Sequence, residues 1–103
     1  MNDRLKALLD FYNKDPKDSF TIYGIALEFA ALKNYEKAEK FFNTLLTNDP
    51  NYVPGYMQFA QMKVELNQID EAKDFYKRGI TAAKKNGDNR SANEMEEFLD
   101  DLE

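Results

Sequence analysis

At 103 residues the chain is sized for one domain, long enough to bury roughly 65% of its extended surface around a modest core. Its net charge of -5 disfavours phosphate backbones and anionic membranes, whose binding draws on clustered Lys and Arg, so neither nucleic acid nor membrane is an expected partner. Without cysteine or histidine there is no disulfide framework, no thiolate nucleophile and no imidazole for acid–base work near neutral pH.

Eight Phe and six Tyr supply apolar area, while Gly, Pro and β-branched residues are few, which argues for helices rather than sheet. The N-terminus lacks an apolar signal region, and no apolar run reaches the length of a membrane span. These features read as a soluble, cytoplasmic protein, provided residue 1 is the native start.

Residues 2–14 carry Leu5, Leu8, Leu9 and Tyr12 at i, i+3, i+4 and i+7, one apolar stripe along a helix. Asp15-Pro16 ends it, because a residue before proline avoids helical dihedrals. Asp18 or Ser19 caps the next helix, about 20–32, whose apolar residues wrap most of its circumference and predict contact on more than one side. Gly24 within it reads as a tolerated surface glycine or a close helix approach rather than a notch for a partner's side chain.

Lys33-Asn34 is a turn, and a helix over 35–47 is expected to bury Ala38, Phe41, Phe42, Leu45 and Leu46. After a turn at 48–51, Pro54 falls in the first turn of a helix over 53–66, where its missing N–H is harmless; Tyr56, Phe59, Ala60 and Leu66 are its expected core. Asn67-Gln68 turns into a helix over 69–85 burying Ala72, Phe75, Tyr76, Ile80 and Ala83, with Gly87 as its left-handed cap. Asp88, or the capping-box pattern Ser91-x-x-Glu94, starts a last helix with Met95, Phe98, Leu99 and Leu102 on its apolar face.

Tyr35–Phe42, Y-E-K-A-E-K-F-F, returns as Ile69–Tyr76, I-D-E-A-K-D-F-Y, 34 residues later. The same frame pairs Ala26 with Ala60, Leu32 with Leu66, Ala38 with Ala72, Phe41 with Phe75 and Thr47 with Thr81. A fixed period of this length marks stacked helical hairpins, since one hairpin cannot bury its apolar face alone.

In Ile22, Ile25, Ala26, Phe29, Ala38, Phe42 and Pro50, and again in Tyr56, Phe59, Ala60, Ala72, Tyr76 and Gly79, the sequence resembles the tetratricopeptide repeat family. Leu45, Lys63 and Lys84 depart from that pattern. With Lys84 where the first unit has Pro50, helix 69–85 is expected to outlast helix 35–47. The predicted fold is all-α, an α-α superhelix of about six antiparallel helices. Its parts are a capping helix in 1–17, repeats over 18–52 and 53–87, and a second capping helix in 88–103.

The resemblance implies a protein–protein interaction module binding a peptide or partner helix along each unit's first helix. The family's groove positions correspond to Phe20, Tyr23, Leu27, Ala30 and Ala31 in the first unit, and to Pro54, Met57, Gln58, Gln61, Val64 and Glu65 in the second. Phe20, Tyr23, Leu27, Ala30, Met57, Gln58, Gln61 and Val64 are the candidate partner-binding residues. They are apolar enough to anchor a partner if exposed, or to be plain core if the capping helices cover them. If exposed, the same face also suits a homodimer.

Family members that grip the acidic tails of heat-shock chaperones use a Lys, Asn and Arg clamp. Tyr23, Leu27, Gln58 and Gln61 offer none, so no carboxylate-tail recognition is expected. No enzyme, cofactor or metal is predicted. The two serines read as caps, and Glu94, Glu96, Glu97, Asp100 and Asp101 read as a solvated helix face, because Ca²⁺ prefers carboxylates converging from a loop.

Overall fold

The computed structural model describes residues 2–103, which form six helices and, among those residues, no strand. They are α1 (Asp3–Lys14), α2 (Ser19–Ala31), α3 (Tyr35–Asn48), α4 (Val53–Glu65), α5 (Ile69–Lys85) and α6 (Asn89–Leu102). The all-α helical-hairpin expectation is borne out, and helix bounds fall within a residue or two of those read from the pattern. The helices divide into two compact units, one up to residue 49 holding α1 to α3 and the other, residues 50–103, holding α4 to α6.

Local signals set the helix ends. Asn2 accepts from Leu5 N at 2.6 Å, Asp18 from Thr21 N at 3.0 Å, and Asp88 from Ser91 N at 3.1 Å, each satisfying an otherwise orphaned first-turn donor. Asp88 therefore starts α6, a turn before Ser91 would have. Its hydrogen bonds with Ser91, side chain first and backbone second, hold its carboxyl below the ordinary aspartate value. Pro54 lies in the first turn of α4, as its missing donor allows.

Gly87 takes a left-handed φ of 73° after α5. Lys33 and Asn67 do the same at 60° and 59°, closing α2 and α4 at matching places in the repeat frame. A left-handed lysine costs more than a glycine would, and only the tight α2–α3 connection requires it. With no proline to stop it, α5 runs 17 residues against 14 for α3.

In unit 1, α1 packs on α2 and α2 on α3. Leu5, Ile22, Ile25, Ala26, Ala38, Phe42 and Leu45 form a core with almost no accessible surface. Leu8, Leu9 and Tyr12 are only half-buried. Phe41 is half-buried too, held between Tyr12 edge-on at 5.4 Å and Phe29 stacked at 5.8 Å. Gly24 is buried where Leu8 crosses it, and a methyl added there would meet Leu8 Cδ2 at 3.2 Å. Gly24 is therefore a close helix approach and not a tolerated surface glycine.

In unit 2, α5 packs against both α4 and α6. Phe59, Ala60, Ala72, Tyr76, Ala83, Ala92 and Met95 make the centre of its core. Three expectations need correction. Leu66, Phe75 and Ile80 are half-buried, while Val53, Met62 and Ala82 take fully buried places.

Lys63, which departs from the family's aromatic position, is itself buried at 2% exposure. Its Nζ lies 5.3 Å from the centroid of the Phe59 ring, donates to Gln68 Oε1 at 2.9 Å and pairs with Glu71 at 3.5 Å. A long amphipathic side chain can bury its methylenes and still satisfy its head at the edge. With lysine at 63, Phe75 finds its aromatic partner in Phe59 at 4.3 Å.

Candidate functional site

Asp18 fixes where α2 begins, and so sets which side of it Phe20, Tyr23, Leu27 and Ala30 occupy. Ile22, Ile25, Ala26 and Phe29 go inward; Tyr23, Leu27 and Ala30 are half-buried; Phe20, one residue into the helix, is 70% exposed. On α4 the inward face is Tyr56, Phe59, Ala60 and Lys63. Its flank leaves Met57, Gln58, Gln61 and Val64 half-buried, with Pro54 and Glu65 exposed. None of the eight candidate residues is buried core.

Two of them reach a common concavity. Gln61 and Val64, with Glu65, form one wall of a cleft of about 390 Å³ within unit 2. Tyr76 of α5 forms its floor, and Phe98, Asp101 and Leu102 of α6 the opposite wall. The Tyr76 and Phe98 rings stack at 5.7 Å with planes 24° apart. Burial pushes the Tyr76 hydroxyl above its ordinary value, because the phenolate would lose its hydration.

Phe98, read from its spacing as core, is 38% exposed. The physical reason lies one turn away. α6 lies close against α5 at Met95, whose Sδ would be only 2.6 Å from a methyl on Gly79. Beyond it, Phe98 rests on the larger Tyr76 and keeps one face open.

Phe98, Asp101 and Leu102 thus line a cleft that sequence reasoning did not foresee. An i, i+3, i+4, i+7 stripe does not distinguish a side chain filling a core from one walling a cleft. Smaller hollows lie elsewhere among the described residues. One is lined by Pro50, Asn51, Tyr56, Arg78, Thr81, Ala82 and Lys85, and the Tyr56 hydroxyl donates to Pro50 O beside it at 2.8 Å. Another lies on α1 around Ala7, Asp10, Phe11 and Lys14.

Among the described residues, no three acidic, histidine or cysteine side chains converge on a metal-sized site. Among them, too, no helix is long and apolar enough to cross a membrane. The cleft offers apolar surface, one amide and two carboxylates, which suits it to holding a side chain of another molecule.

Two helical hairpins with a helix on either flank in sequence define a helical-repeat protein of the interaction class. The sequence profile of the tetratricopeptide repeat matches residues 21–52 and 53–86, and the chain belongs to that family. Its members generally mediate protein–protein interactions. A tetratricopeptide repeat domain protein from Salinibacter ruber is 31% identical, over 86% of this chain and 90% of that one, with a TM-score of 0.81.

Two further structures share the fold. The TPR2B domain of yeast Sti1, in its complex with pHsp70, has a TM-score of 0.87 at 20% identity, over 95% of this chain and 78% of that one. A Bordetella parapertussis protein has 0.83 at 18%, over 99% of this chain and 89% of that one.

Proposed function

We propose that this protein is a non-enzymatic interaction module that holds a peptide or partner helix on the apolar faces of its first helices. In unit 1 that face is Phe20, Tyr23, Leu27 and Ala30; in unit 2 it is Met57, Gln58, Gln61 and Val64. The observation that carries the reading is the unit 2 cleft. Its volume of about 390 Å³ falls within the range of pockets that enclose a ligand group, and its walls are mainly apolar with few polar groups. A ring with one face on Tyr76 and the other open, as Phe98 has, is a ready platform for an aromatic or aliphatic anchor.

The pHsp70 held by the yeast domain is not carried over to this chain. Tyr23, Leu27, Gln58 and Gln61 occupy the positions where a basic clamp for an acidic tail would sit, and none of them is cationic.

Selection from a displayed random-peptide library on the immobilised protein tests the reading. Enriched peptides should lose binding to Tyr23→Glu, Met57→Glu and Val64→Glu variants that keep wild-type helicity by circular dichroism. No enrichment, or enrichment indifferent to all three substitutions, would refute the site. Size exclusion with light scattering supplies the other outcome. A dimer at micromolar concentration that the same substitutions dissociate would assign these faces to a second copy of the chain.

A further inference from the structure

We infer that the unit 2 cleft is specific for a cationic amphipathic segment, an apolar side chain flanked by Lys or Arg. This rests on the reading of the cleft as a peptide-anchoring site and adds the partner's charge. The apolar floor and walls take the anchor, while both charged residues at the rim are carboxylates, Glu65 on α4 and Asp101 on α6, each exposed. No basic residue lines the cleft.

The rim acids are also unused. Elsewhere in unit 2, Asp74 lies 3.5 Å from Arg78, Glu94 3.5 Å from Arg90 and Glu96 3.1 Å from Lys84. Glu65 and Asp101 have no such neighbour among the described residues.

Two further sources deepen the negative potential at this place. From Glu94 onward every charged residue of α6 is acidic, with Glu97 and Asp100 flanking the cleft wall in sequence. α4 ends at Glu65, so the negative end of its backbone dipole lies at the same rim. An acidic or phosphorylated segment would meet repulsion from each of these groups. A bare divalent cation would find too few converging ligands, since no metal-sized cluster exists among the described residues. A cation carried beside an apolar anchor satisfies both halves of the site.

The test uses three fluorescein-labelled peptides with one shared Leu–Phe core and flanking Lys, Gln or Glu residues. They are titrated by fluorescence anisotropy against the full chain. The Lys-flanked peptide should bind about tenfold tighter than the Glu-flanked one, as expected for a few exposed charge pairs. That preference should shrink between about 0.05 M and about 0.5 M salt, as screening shortens the field. The combined Glu65→Lys and Asp101→Lys variant, altered only at exposed positions, should bind the Glu-flanked peptide best.

Equal affinity for all three peptides, or an order unchanged by the charge reversal, would overturn the charge assignment while leaving the peptide-binding reading in place. No binding by any of the three would overturn both.

Discussion

Adding one methyl group at either of two buried glycines separates close packing from backbone propensity. Ala in place of Gly inside a helix stabilises by about 1 kcal/mol, so both Gly24→Ala and Gly79→Ala start from the same gain. The surroundings then differ. At Gly24 the new methyl would meet only Leu8 side-chain atoms, at 3.2 and 3.3 Å, and a leucine terminus can move a few tenths of an ångström.

At Gly79 the methyl would lie 2.6 Å from Met95 Sδ and 2.7 Å from Tyr56 Cβ. Met95 is flexible, but Tyr56 Cβ moves only with the backbone of α4. With two contacts under 3 Å, one of them to an atom fixed by the backbone, the overpacking cost falls in the upper part of the typical range, about 2–3 kcal/mol. The net expectation is that Gly24→Ala is neutral or stabilising by up to about 1 kcal/mol. Gly79→Ala should destabilise by about 1–2 kcal/mol, with Tm falling about 4–8 °C per kcal/mol. Thermal and urea unfolding followed by far-UV circular dichroism measure both. A Gly79→Ala protein as stable as wild type would refute the claimed crowding between α5 and its two neighbours.

Ala38→Phe and Ala72→Phe, at positions with no accessible surface, should each lower stability by about 1–3 kcal/mol in urea unfolding. Lys63→Met should be neutral or stabilising, because it keeps the buried stem and removes a charge that burial penalises, whereas Lys63→Ala should cost about 2 kcal/mol for the space it leaves. The pair is compared by urea midpoint. Tyr76 has a raised ionisation in the fold, so its contribution is intact below the ordinary value of 10.0 and is lost as pH rises through the folded one. Urea midpoints should therefore fall more steeply at alkaline pH in wild type than in Tyr76→Phe.

The helices and their limits were legible in the chain because their causes are local. Asp18 and Asp88 cap through a carboxylate three residues from the donor, Pro54 tolerates a first turn, and Gly87 tolerates a left-handed φ. The recurrence of Ala26, Ala38 and Phe41 as Ala60, Ala72 and Phe75 carried the hairpin architecture, since a repeated packing surface requires a repeated sequence.

Which apolar residues are walls rather than core was decided only by tertiary packing. The stripe Met95, Phe98, Leu99, Leu102 has a single periodicity, yet Met95 is sealed against Gly79 while Phe98 stands open on Tyr76. The size of the residue on the facing helix sets that difference, and that residue lies about twenty positions away in the chain. Lys63 makes the same point in reverse: a charged residue, it lies in the core because Phe59, Gln68 and Glu71 receive its ammonium group. Periodicity says which way a side chain points; only its neighbour across the interface decides whether the space there is filled.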